Sequence, residues 1–321
     1  MFAFFNLTIH LWFTLSTLNL MAAEGYAAID NQREACSWGS SNENFTTHRA
    51  LLASRIHSLE ELKGMVKIDF FPKDTVDKTA TKYVCLTYSS MGKEISAVLR
   101  EGIDQGELVK AKDGSLSDKI GILFKSPYSI KYRDDLRKIY ILARRRRQLY
   151  GDVDKAFYDI AVASVKKINT IERAYFSNRD SSDKGYINTF NHVTSQAIIT
   201  SIFGQNKAAF IADVHERYNM PQLTSSQKID SLMLEGQEKA VIDNYVDIVN
   251  NKIGQKLGIV LGRKYKINRN SEWSPKLLTD YLNDMHQYYR LTYGIGMKPF
   301  NEQEELILLF SRKINNTIAT N

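Results

Sequence analysis

The chain has 321 residues, of which 43% are hydrophobic, 25% are charged and 5 are proline. That balance suits a folded globular protein, excludes a disordered or low-complexity chain, and comes with no internal repeat. The formal net charge of +7 favours an anionic surface or polymer as partner, without choosing among phospholipid, wall polymer and nucleic acid.

Residues 1–23 contain no Lys, Arg, Asp or Glu, and the apolar run is densest over Phe2–Phe13. This resembles the hydrophobic region of a secretory signal peptide. Gly25-Tyr26-Ala27 offers a small–x–small processing pattern with cleavage after Ala27. Asn6, His10, Thr14 and Ser16 interrupt the run, which argues against a membrane span. The expectation is an exported chain, periplasmic or extracellular, with residues 1–27 removed and no transmembrane span left. A start at Met21 would instead leave a cytoplasmic protein. Cys36 and Cys85 are the two cysteines, and neither lies in a C-x-x-C spacing. In an exported chain they read as one disulfide worth roughly 2–4 kcal/mol; otherwise they are two buried thiols.

Residues 28–125 mix short periods and read as an α+β region. The stripe Leu51, Leu52, Ile56, Leu59, Leu62 predicts a helix over 47–65. VKIDFF (66–71) and KYVCLTYS (82–89) predict strands, as does KIGILFK (119–125). Residues 126–321 read as helix after helix. The acids of DDLRKIYILARRRRQLYGD come first and the bases later, as the helix dipole prefers, so 134–150 reads as one helix ending at Gly151. Further helices are expected over 154–176, 186–203, 206–219 and 236–258. Ser274 then caps a helix whose first residue is Pro275, and a last helix covers 302–314. The fold class is mainly α: a helical C-terminal bundle preceded by a smaller α+β region. Four successive helical arginines, Arg144–Arg147, would point to all sides. With no RNA motif or zinc-finger spacing nearby, they read as a solvated helix end or a polyanion contact, without specific nucleic-acid recognition.

Three helical pieces carry the chemistry. In the third, Asp243, Asp247, Asn250, Asn251 and Gly254 fall at i, i+4, i+7, i+8 and i+11, on one face. Asn and Gly cost roughly 0.5–1 kcal/mol each inside a helix, so a short polar stripe with a glycine suits close approach of another helix or a ligand. In the first piece His192 lies in a stripe beside the buried one formed by Phe190, Thr194 and Ala197. In the second, His215 and Glu216 are adjacent, about 100° apart on a helix.

The order N-x-F-x-H, G, H-E, D-x-x-N-N-x-x-G is similar to a bacterial domain family of unknown function. Its pattern runs N-A-F-R-H-A, a glycine, A-H-E, then M-D-L-x-N-N-x-x-G. Asn188, Phe190, His192, Gly204, His215, Glu216, Asp247, Asn250, Asn251 and Gly254 match, over about 188–258. Asn191 stands where that pattern has arginine, and Val246 where it has methionine. The resemblance implies a helical domain and brings no reaction with it.

Chemically, His192, His215, Glu216 and Asp247 are the acid–base candidates, and Asn188, Asn250 and Asn251 are the candidates for holding substrate. The same histidines and acids could take divalent zinc or iron. There is no H-E-x-x-H, however, and no pair has tight local spacing, so the expectation is no metal and no cofactor. A third reading is a buried hydrogen-bond network that fixes helix register. Two function classes follow: an exported hydrolase acting on an envelope or extracellular polymer or lipid, and a non-enzymatic binding or toxin-like module.

Overall fold

A computed structural model describes residues 48–72, 81–169, 179–180 and 182–319. The signal-like start, Ala27 and Cys36 lie outside the described residues; Cys85 is buried in a strand.

The chain enters through 48–58, which is irregular apart from one 3-10 turn, Ala53–Arg55. It then forms α1 (Leu59–Met65), capped by the Ser58 side chain. The helix expected over 47–65 is thus confined to its last turns. The earlier segment is held by side chains from distant helices instead of by its own ladder. A meander follows: β1 (Val66–Phe71), β2 (Tyr83–Ser90) and β3 (Lys93–Arg100), antiparallel in the order β1-β2-β3. Ile68 pairs with Leu86, and Cys85 with Val98. β3 was not anticipated, although Ile95, Ala97 and Leu99 alternate and all three are buried. Its turn is Met91-Gly92, both at positive φ, the two-residue geometry that matches strand twist.

The segment read as a strand at 119–125 is helical. After α2 (Gln105–Asp113), α3 covers Leu116–Lys125. Ser115 accepts from the Asp118 N–H, and the Asp118 carboxylate accepts from the Ser115 N–H. That reciprocal cap decides a short apolar run whose periodicity cannot. Next come α4 (Pro127–Lys131), α5 (Arg133–Ala143) and α6 (Arg147–Tyr150). The single helix expected over 134–150 is therefore broken at the arginines. Arg144 is extended, the Lys313 ammonium donates to its carbonyl at 2.8 Å, and the Asp154 carboxylate accepts the Arg146 N–H, so that donor is lost to a continuous helix. Arg146 stacks over the Tyr140 ring. α7 spans Phe157–Lys166, shorter than the pattern over 154–176.

The last half matches its sequence pattern more closely. α8 (Tyr186–Phe203) and α9 (Gln205–Asn219) are joined by Gly204 alone, at φ 88°. α10 (Ser226–Leu234) leads into α11 (Glu238–Lys264). α12 (Pro275–Tyr293) begins with Ser274 accepting from the Leu277 N–H and ends at left-handed Gly294; α13 covers Glu305–Ala319. The fold is mainly α with one small sheet. α11 lies against α8 on one side and against β3 on another. Among the described residues, one hydrophobic core runs from Leu62 and Leu86 through Phe190 and Tyr245 to Phe310. Among the described residues, no helix is long and apolar enough to cross a membrane.

α8 and α11 touch backbone to backbone. A Cβ on Gly254 would stand 2.5 Å from the Val193 carbonyl oxygen, and one on Gly258 2.4 Å from that of Ala197. Glycine is required there by proximity, and this contact sets the distance between the polar stripes of the two helices.

Candidate functional site

Close approach of α8 and α11 brings Asn188, His192, Asp247 and Asn251 into one network, and α9 adds Glu216. The Asn251 amide donates to Glu216 Oε1 at 2.9 Å. Its oxygen is thereby left to accept, and His192 Nδ1 lies 2.9 Å from it. Nδ1 is therefore the donor to Asn251, and Nε2 carries the lone pair of the neutral ring. Nε2 faces Asp247 Oδ2 at 3.5 Å. The other Asp247 oxygen accepts from the Asn188 amide at 2.8 Å.

Exposure differs within the network. The Asp247 side chain is 9% exposed and that of His192 13%, while Glu216 is fully buried. Glu216 Oε2 has no hydrogen-bond partner among the described residues. Burial pushes the Glu216 carboxyl up to about 8, and the nearby Asp247 charge adds to the effect. Burial also drives the Asp247 carboxyl well above the usual carboxylate range, reinforced by Asp243 and opposed by the bond from Asn188. The two carboxyls behind His192 are thus held toward their protonated forms.

Two candidates face elsewhere. His215 Nδ1 meets Gln105 Oε1 at 3.0 Å and its Nε2 meets the Asn219 amide at 3.2 Å, so it joins α9 to α2 outside the network. Burial lowers its pKa to about 4, helped by the positive charges of His192 and Arg144. Asn250, on the same face of α11 as Asp247, reads backbone. Its oxygen accepts the Leu51 N–H at 2.8 Å and its amide donates to the Leu51 carbonyl at 2.9 Å. Thr189 donates to that same carbonyl, and the hydroxyls of Tyr288 and Tyr293 donate to the carbonyls of His48 and Ala50. Asn250 is thus a clamp on the entering chain. Ser195, three residues beyond His192, donates to the His192 carbonyl and is committed locally.

No group of three or more His, Cys, Asp or Glu side chains arranged to hold a metal ion occurs among the described residues. Sequence reasoning did not anticipate Gln105 as the partner of His215, or the tyrosines that hold residues 48–50. No short spacing connects these residues, which lie on elements far apart in the chain.

No protein-family model matches this chain, and no curated protein or solved structure matches it either.

Proposed function

We propose that this chain is a hydrolase in which His192 is the acid–base centre, acting on an envelope or extracellular polymer or lipid. The observation behind this reading is the wiring of one partly exposed imidazole. Nδ1 is tied through Asn251 to buried Glu216, and Nε2 is left facing the carboxyl of Asp247. A structural cross-link has no need of two buried carboxyls, one with an unpartnered oxygen, since each costs free energy that an amide would not. An acid–base centre does need an oriented imidazole with a proton reservoir beside it. In the proposed step, Nε2 removes a proton from water as the water attacks the substrate. The imidazolium formed draws Asp247 into its carboxylate form, which stabilises it, and the same proton is returned to the leaving group. Asn188 and Asn251 keep the two partners in place. Export and processing near Ala27 belong to this proposal, as does kinship with the bacterial domain family whose pattern the chain resembles.

A second reading is favoured by one observation, the Asn250 clamp on Leu51, which is purely architectural. If the whole polar stripe serves the same end, the chain is a non-enzymatic binding or toxin-like module. A panel of chromogenic esters, phosphoesters, glycosides and peptides separates the two. The hydrolase reading expects turnover that falls by about a hundredfold or more in a folded His192→Gln protein. Turnover that persists in that variant, or none in the parent, overturns it in favour of the binding module.

A further inference from the structure

One turn before Asp247, α11 presents Asp243 to a cavity of about 390 Å³. Its floor is apolar, formed by Ala53, Ile56 and Ile242, and its polar wall carries Arg179, Lys184 and Lys239. Three cationic side chains from two chain segments converge there on a space the size of a small-molecule site. Their local compensation is slight. Lys184 stands 3.8 Å from Asp243 Oδ2, too far for a tight ion pair, and its side chain is 59% exposed. Arg179 approaches His57 Nδ1 at 3.4 Å, a contact that neutralises nothing while the imidazole is uncharged. The nearby Asp180 carboxylate is already engaged by Ser54 and Arg55.

Asp243 is the second feature. Its side chain is 22% exposed, and Oδ1 is buried without a hydrogen-bond partner among the described residues. A carboxyl among three cations is not what a bare anion needs, but it is what a hydroxyl beside an anion needs. Carboxylates recognise ligand hydroxyls, while Lys and Arg recognise phosphate. We infer that this cavity binds a phosphorylated polyol, the phosphate held by Arg179, Lys184 and Lys239, a hydroxyl held by Asp243, and the carbon chain lying on Ile56 and Ile242. The site stands whether or not His192 performs chemistry. If it does, the ligand sits one helical turn from the acid–base centre, and the charge on His192 reaches Asp243.

The same chemistry occurs in a free glycerol phosphate and in a glycerophospholipid headgroup, and the test distinguishes them. Thermal unfolding is followed with glycerol 3-phosphate, inorganic phosphate and glycerol, each against chloride of equal ionic strength. Sedimentation with phosphatidylglycerol vesicles is measured alongside. Glycerol 3-phosphate should give a saturable rise in Tm, a smaller rise should come from inorganic phosphate, and none from glycerol. In a Lys184→Gln/Lys239→Gln protein the binding should weaken by about tenfold or more. In Asp243→Asn the advantage of glycerol 3-phosphate over inorganic phosphate should shrink. Vesicle binding that free glycerol 3-phosphate displaces assigns the ligand to lipid; a Tm response without vesicle binding assigns it to a soluble ester. No phosphate-specific rise in the parent, or an equal rise in the folded double variant, overturns the inference. His192→Gln should retain the Tm response, so loss of turnover and loss of binding report on separate proposals.

Discussion

The contact between α8 and α11 makes a sharp demand on one residue, Gly258. A Cβ there would stand 2.4 Å from the Ala197 carbonyl oxygen, 2.7 Å from Thr200 Cβ and 2.9 Å from Ala197 Cα. Two of these three atoms are backbone, so no rotamer change relieves the clash, and the helices would have to part by about 1 Å. Alanine should gain about 1 kcal/mol from helix propensity. Overpacking a rigid contact costs about 3 kcal/mol. The balance predicts that Gly258→Ala loses about 2 kcal/mol, a fall in Tm of roughly 3 °C for a chain of this size. Gly262 is the control. One turn further on, its Cβ would meet Ser201 Oγ at 3.3 Å and Ser201 Cα at 3.4 Å, so Gly262→Ala should be near neutral. Urea unfolding followed by far-UV circular dichroism compares the three proteins. A Gly258→Ala protein as stable as the parent, or a Gly262→Ala protein that loses as much, would falsify the argument from helix separation.

Two further outcomes follow from the buried polar groups. The folded pKa of Glu216, about 8, lies above its ordinary value of 4.5, so the folded carboxyl holds its proton more tightly than the unfolded one. Its contribution to stability is therefore fully present below pH 4.5 and declines as pH rises toward about 8. Asp247 and His192 from the neighbouring helices, and Asp213 from its own, also act on it. The readout is thus the difference between parent and Glu216→Gln across that window: the variant should be more stable at the alkaline end, on the order of a few kcal/mol. Parallel stability curves would show that Glu216 ionises as freely in the folded chain as in the unfolded one. For the entering segment, Asn250→Ala strands the buried Leu51 N–H and opens a small void, a loss of about 2–4 kcal/mol with faster proteolysis near residues 48–52. Unchanged proteolysis there would mean that the tyrosine hydroxyls hold the segment without Asn250.

Local patterns carried much of the architecture. The bounds of α8 and α9 lie within a residue of those expected, and Ser274, Pro275 and Gly294 mark the ends of α12 by their own backbone chemistry. The polar face from Asp243 to Gly254 was likewise legible, because helical spacing alone places those residues on one side. The sequence also contained signals whose weight was not evident. Ser115 and Asp118 cap a helix that a seven-residue apolar run disguises as a strand, and Ile95, Ala97 and Leu99 alternate as a strand should. Tertiary structure alone decided the rest, because the deciding partners are far apart in the chain. Asp154 takes the Arg146 N–H, and Lys313 bonds the Arg144 carbonyl, where a helix that charge order predicts to be continuous is interrupted. Five neighbouring residues of one face of α11, four polar and a glycine, were divided among different tasks. Asp243 went to a cavity, Asp247 and Asn251 to His192, Asn250 to the Leu51 backbone, and Gly254 to the backbone of α8. Periodicity can place side chains on a face, but what each one meets depends on which segment the fold brings to it. A contact across 199 residues, such as Asn250 with Leu51, leaves no local pattern to read.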